Sequence, residues 1–409
     1  MKKGKMTFMS FGLLLLVTSC GVSSTINTID PELLKESVNR ISLKDEANYS
    51  TYYSYINRVN EARQDNYLSK SSRQEVIPEG GFELNNQIVE AEEAMKEAPN
   101  YAKVFLSHDT MTYHAKGLTS SKLGRYRLKL EYYVPTNFAS APLVNIKVNG
   151  QYPFTEAETI GLPLLYKDNV PSDEFGNDKV FDKTRHDDEM SPNQTRVKGW
   201  QNEGIYETTF LTSEPLVFDF DTVKPIISIT NLSDREFYVG KLTLEPVEKP
   251  LTYAEYSKNL SSLGTDSYEL NAINYTHKNS NETTLANEQS PAVTPYEHDR
   301  KLLNVTSGWD TSGQSITWKF NVDSAGYYPL TMHYYNDMSN FPLYRKIEVN
   351  GKVPFAEVEN YEFPTTGAHY SNETLHDEEG NPYYFYFDSG IKTITLTATS
   401  EPLLDIYTI

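Results

Sequence analysis

Apolar and polar positions alternate in short runs along most of the chain, and one of these runs occurs twice. Residues 146–158 read I-K-V-N-G-Q-Y-P-F-T-E-A-E and residues 347–359 read I-E-V-N-G-K-V-P-F-A-E-V-E, with eight of thirteen positions identical at an offset of 201. Ile146 and Val148, like Ile347 and Val349, alternate with polar residues, the signature of a half-buried strand. Asn149-Gly150 and Asn350-Gly351 then supply the two positive-φ positions of a type I′ turn. Pro153 and Pro354 end the ladder, because proline has no N–H to donate. Phe154 and Phe355 are placed to plug the end of a sandwich. The motif reads as framework, and the chain as one β-rich unit used twice.

The pattern elsewhere agrees. Thr51-Tyr52-x-x-Tyr55 recurs as Thr252-Tyr253-x-x-Tyr256, again at offset 201, so a short helical connector precedes each unit. An earlier helix starts at Asp30-Pro31-Glu32, with Leu33, Leu34, Val38 and Ile41 on one stripe. Met111 to Tyr113 corresponds to Ile316 to Trp318, Gly124 to Leu128 to Gly326 to Leu330, and Tyr132-Tyr133 to Tyr334-Tyr335. Further strands are expected over 216–220, 227–229, 383–387 and 394–396. Short strands separated by turn signals, without strand–helix alternation, predict a mostly β chain of two tandem antiparallel jelly-roll sandwiches. The expected organisation is a leader at 1–20, a tether with short helices at 21–65, sandwiches at 66–249 and 266–409, and a helical connector at 250–265. Residues 164–200 of the first unit are rich in Asp, Asn, Lys and Pro and are expected to form a surface loop.

Composition narrows the functional classes. The net charge of −19 over 409 residues argues against nucleic acid or an anionic membrane surface as partner. Aromatic residues make up 12 %, with 30 Tyr and 18 Phe, which suits β-structure and exposed flat rings. A single cysteine excludes an intrachain disulfide framework. Its position is informative. Lys2, Lys3 and Lys5 precede an apolar run through Leu13, Leu14, Leu15, Leu16 and Val17, then Thr18, Ser19 and Cys20. This is a secretory signal that ends as a bacterial lipoprotein signal does, in V-T-S-C-G. It implies acylation of Cys20 and an extracytoplasmic protein held to the bacterial cell membrane by lipid.

The second unit reads G-W-x-x-x-G-Q-x-I-T-W-x-F-x-V from Gly308, R-K-I-x-V-N-G-x-V-P-F from Arg345, F-P at Phe363-Pro364, and L-x-D-x-x-G-x-P-Y-x-F-Y-F from Leu375. It resembles the galactose-binding-like jelly-roll domains of the carbohydrate-binding-module type. More narrowly, it is similar to the paired domains at the N-terminus of large sugar ABC-transport lipoproteins. The resemblance covers roughly residues 52–409, with Tyr113 in the first unit standing where the second has Trp318. It implies non-catalytic binding of an oligosaccharide or polysaccharide at the cell surface. The chain given ends at Ile409, where the family continues into a solute-binding domain. An ABC permease or a separate solute-binding protein is therefore an expected partner, and a structural module positioning such a partner is the alternative.

Sugar recognition requires flat aromatic faces and fixed polar groups. The candidates in the second unit are Trp309, Tyr335, Phe341 and Arg345, and in the first Tyr133, Phe138 and Trp200. Trp318, alternating within I-T-W-K-F, is assigned to the core. The resemblance also implies a structural Ca²⁺ held by Glu90 and Glu92, with Glu269 and Asn271 at the matching place in the second unit. Catalytic motifs are absent, and the acid- and histidine-bearing runs at 185–189 and 376–379 read as solvated loops. His108, His114 and His333 stand alone in sequence.

Overall fold

The structure is a computed structural model that describes residues 50–83, 98–136, 138, 140–208, 214–336 and 341–399. Cys20, the helix expected from Asp30, Glu90, Glu92 and the terminal residues 400–409 lie outside the described residues. The chain is mostly β, and the ladders between its strands are antiparallel. In the first sandwich, Gly124–Tyr133 lies between Phe237–Pro246 on one side and Gln201–Gly204 and Val217–Phe220 on the other. The facing sheet runs Thr110–His114, Ile226–Asn231, Leu143–Val148, Ile160–Gly161. Alternate residues fill the space between the sheets: Tyr126, Leu128, Leu130 and Tyr132 from one, Met111, Tyr113, Val144, Ile146, Ile227 and Ile229 from the other. That alternation is the period-2 pattern of a sheet with one buried face.

The second sandwich repeats the register. Ile227 sits between Tyr113 and Val148, and Ile394 sits between Trp318 and Val349. Gly124 faces Phe220 as Gly326 faces Phe387. The strand that is continuous in the first unit is divided in the second into Gly326–Pro329 and Thr331–Tyr334, where Pro329 interrupts the ladder. Trp318 is buried, as expected.

The repeated motifs explain this correspondence. Asn149 (φ 51°) and Gly150 (φ 83°) form a two-residue turn closed by hydrogen bonds between Val148 and Gln151; Asn350 and Gly351 do the same between Val349 and Lys352. Each turn Asn also accepts an N–H from the neighbouring strand, Ile226 at 2.9 Å and Thr393 at 3.0 Å. The next aromatic, Phe154 or Phe355, is buried against the two connector tyrosines, at 4.9 and 5.0 Å from Tyr52 and Tyr55 and 4.9 and 5.1 Å from Tyr253 and Tyr256. The connector helices Tyr52–Arg63 and Tyr253–Tyr256 are N-capped by Thr51 and Thr252. Their first N–H groups are satisfied by Glu156 at 2.7 Å and Glu357 at 2.8 Å, acids of the repeated motif itself.

Residues 164–200 depart from the loop expected of them. Tyr166–Asp168 pairs with His277–Lys278 of the second unit, and Gln194–Arg196 pairs with Tyr166–Asp168. Two strands from the first unit thus extend the sheet of the second. The seam is charged, and Asp168 gathers most of its polar groups. Asp168 accepts from the Tyr275 hydroxyl at 2.6 Å, Gln194 Nε2 at 2.7 Å and Lys179 Nζ at 2.6 Å, and Lys179 also donates to the Ile273 carbonyl at 2.6 Å. Lys278 is fully buried, its ammonium 5.5 Å from the Tyr275 ring centroid and without a hydrogen-bond acceptor. Burial pushes Lys278 down to about 8, with Asp168 opposing the shift. The polar composition that suggests a loop is instead consumed in these contacts. A second charged contact joins the halves elsewhere, where Glu214 meets Arg127 at 2.9 Å and Lys346 at 3.8 Å.

Asp168→Ala leaves the buried Lys179 ammonium without its carboxylate, and is expected to destabilise the chain by about 3–5 kcal/mol in chemical denaturation. The folded Lys278 releases its proton more readily than the unfolded chain does, so the unfolded state binds more protons between about 8 and 10.5. Its contribution to stability therefore rises with pH across that window, and Lys278→Met is expected to flatten the rise. An unchanged denaturation midpoint in Asp168→Ala would show that the seam contributes nothing.

Candidate functional site

Trp309 and Arg345 come together, but as framework. The Trp309 indole donates to the Gln314 carbonyl at 2.9 Å and packs toward Trp318 at 6.3 Å. The Arg345 guanidinium lies 4.4 Å from the Trp309 ring centroid and donates to the carbonyls of Trp309 and Tyr344, each at 2.8 Å. Arg345 is 6 % exposed, and burial lowers it to about 10 against the opposing charge of Asp310. One indole face is therefore covered by a cation whose donors serve the backbone, which makes this pair a loop staple.

The register of the two sandwiches brings out a second constellation. Tyr132 is paired with Gln201 and Tyr334 with Ser371, and both hydroxyls donate at 2.6 Å to the carbonyl of an equivalent proline, Pro163 or Pro364. The following residues are Tyr133, the last of its strand, and Tyr335, just past the end of Thr331–Tyr334. Beside them stand the residues preceding Gln201 and Ser371, namely Trp200 and Tyr370. Tyr133 and Trp200 are 6.0 Å apart and inclined by 48°; Tyr335 and Tyr370 are 5.4 Å apart and inclined by 43°. The same aromatic pair is thus built twice. Three of its four members were legible in sequence, and Tyr370 needed the cross-strand register.

Exposure separates the copies. Tyr133 is 1 % exposed, packed with Ala102 and Val104 and covered by Tyr238 at 6.1 Å, so its ring offers no face to a ligand. Tyr335 is 42 % exposed. His333 extends the open pair, stacked on Tyr370 at 5.4 Å and 19°. Its Nε2 faces the Ala292 carbonyl at 3.0 Å and therefore carries hydrogen, while Nδ1 lies 2.7 Å from Asn372. Burial and the charge of Glu288 push the Tyr370 hydroxyl up to about 12. Phe341 is 61 % exposed, and its carbonyl accepts at 2.7 Å from buried Asn336, which Thr366 anchors in turn. The exposed Tyr335 ring beside half-buried Tyr370 gives an aromatic surface suited to stacking against an apolar ligand face, with carboxylate and amide groups at its margin.

In the first sandwich Phe138 is only 9 % exposed and forms, with Pro135 and Tyr238, part of a cleft of about 420 Å³ that Arg235 and Glu236 also line. The calcium expectation has weak material in the second unit. Glu269 is exposed, and Asn271 already gives its side-chain oxygen to the Ile273 N–H at 3.1 Å. Among the described residues no group of three or more His, Cys, Asp or Glu converges. Glu269 and Asn271 do not by themselves make a hard-cation cage. The acidic runs lie at the surface as expected, with local partners: Asp377 accepts the N–H groups of Glu379 and Asn381, and Asp187 pairs with Arg300 at 2.5 Å.

No family model and no curated protein matches the chain. Among solved structures it is similar to a CBM35 from Cellvibrio japonicus Abf62, at 20 % identity over 29 % of this chain and 73 % of that one, with a TM-score of 0.22. A family 35 carbohydrate binding module from Clostridium thermocellum matches at 18 % identity over 30 % and 83 %, with a TM-score of 0.18. The ANX2 ectodomain from Arabidopsis thaliana matches at 10 % identity over 82 % and 86 %, with a TM-score of 0.20. These likenesses are slight, and the functional reading rests on the chain's own residues.

Burial predicts opposite outcomes at the two equivalent tyrosines. Tyr133→Ala is expected to lose about 3–5 kcal/mol of stability as a core truncation, and Tyr335→Ala to stay within about 0.5 kcal/mol of the parent. Thermal unfolding of both variants checks this, and equal losses would refute the assignment of one ring to the core and the other to the surface.

Proposed function

We propose that this chain is a non-catalytic carbohydrate-binding protein, held outside the cell by lipid on Cys20 and serving a sugar ABC-transport system. The observation that carries the reading is the Tyr335–Tyr370 pair, open at Tyr335 with His333 stacked on Tyr370, while exposed Phe341 is tied through its carbonyl to Asn336, the residue after Tyr335. Sugar rings present C–H faces to flat aromatics and hydroxyls to fixed polar groups, and the Glu288 carboxylate and the Asn372 amide stand at the margin. The net charge of −19 suits a neutral ligand better than a polyanion. The lipobox ending at Cys20 supports display at the membrane face, and the resemblance to transporter lipoproteins supports the link to uptake. A second reading, a rigid spacer that positions a transporter partner, draws on the buried seam at Asp168 and predicts no saccharide affinity.

A glycan array followed by calorimetry on the full chain tests the proposal. Tyr335→Ala and Phe341→Ala are each expected to weaken binding about tenfold, roughly 1.4 kcal/mol, without moving the thermal midpoint. Affinity for a neutral saccharide should barely respond to salt, because no charge pairs form on binding. Undiminished affinity in both variants would sink the platform as the site.

A further inference from the structure

We infer that the first sandwich carries a second saccharide site, the cleft of about 420 Å³ lined by Pro135, Phe138, Arg235, Glu236 and Tyr238, and that it takes a compact neutral saccharide unit such as a chain end. The inference rests on the carbohydrate reading above but concerns a separate surface. The cleft abuts the closed copy of the aromatic pair, since Tyr238 both lines it and covers Tyr133. Where the second sandwich presents an open platform, the first presents a concave equivalent.

Three observations carry this. The volume lies within the roughly 300–1,000 Å³ of small-ligand sites. Its apolar wall is aromatic and prolyl, while the exposed Arg235 and Glu236 at its rim carry opposite charges that cancel. That combination suits paired hydroxyls and favours neither anion nor cation. Both walls are also held before any ligand arrives. On one side fully buried Asn231 donates to the carbonyls of Phe105, Leu106 and Arg235, at 3.1, 3.1 and 2.9 Å. On the other, Arg196 donates to the carbonyls of Phe138 and Val134 at 3.2 and 3.4 Å. Arg196 belongs to Gln194–Arg196, the outermost strand of the second sandwich's sheet, so the cleft is set from across the seam. Preorganisation of this kind reduces the ordering entropy that weakens binding.

Calorimetric titration of the full chain with neutral tetrasaccharides of glucose, xylose, mannose and galactose, and with uronate-bearing oligomers, tests the second site. Two sites per chain are expected for the neutral sugar that binds. The Arg235→Ala/Glu236→Ala variant should lose one site, at least tenfold in affinity, with an unchanged thermal midpoint, while Tyr335→Ala loses the other. A stoichiometry of one that falls with Tyr335→Ala and ignores the double variant overturns the cleft and leaves the platform standing. Preference for uronates that vanishes with Arg235→Ala overturns the neutral ligand class. Failure of every saccharide to bind overturns both sites.

Discussion

The hydroxyls of Tyr52 and Tyr55 accept hydrogen bonds from the N–H groups of Val217 and Asp219, at 2.9 and 2.7 Å. Those of Tyr253 and Tyr256 accept from Tyr384 and Tyr386, at 3.0 and 2.7 Å. In each sandwich a connector helix thus holds alternate donors of a strand that a sheet partner leaves unpaired. The same rings hold Phe154 or Phe355, which close the end of the core. Burial raises all four tyrosine pKa values, so these hydroxyls stay neutral and keep accepting across the physiological range. The constraint behind the arrangement is that a strand N–H without a sheet partner needs another acceptor. Once it is met, strand positions, and with them the aromatic pairs further along the sheets, follow in both copies.

What was legible in the sequence was local. An Asn-Gly pair, a proline two or three residues on, and a Thr-Tyr-x-x-Tyr helix start each specify their own geometry within a few residues. The alternation of Ile227 and Ile229, or of Ile146 and Val148, similarly marks a buried face wherever it occurs. The less legible features depend on partners far away in sequence. Tyr370 belongs to the platform because its strand lies against Thr331–Tyr334, and spacing along the chain does not reveal that pairing. Residues 164–200 look like a loop because Asp168, Lys179 and Gln194 are polar; their contacts with Tyr275 and Ile273 bury them together. Trp309 and Arg345 were conspicuous for their chemistry, but conspicuous aromatics and guanidinium groups also make good staples.

One ring accounts for much of the difference between the two aromatic pairs. Tyr238, on the strand beside Gly124–Tyr133, lies over Tyr133, whereas Tyr335 is open. The fold supplies the position twice, and the neighbouring strand decides whether it becomes packing or surface. Equivalent residues in a duplicated protein thus need to be judged by what covers them.

The strand Tyr166–Asp168 has a consequence for how this protein can change over evolutionary time. Tandem duplicates usually begin as portable modules, each able to be lost, gained or shuffled by recombination. Here one copy has lent part of its own length to the other's sheet, so excision of the first would bare the His277–Lys278 edge as a ready template for intermolecular pairing. The duplication has in this sense become irreversible: the halves are inherited as a pair.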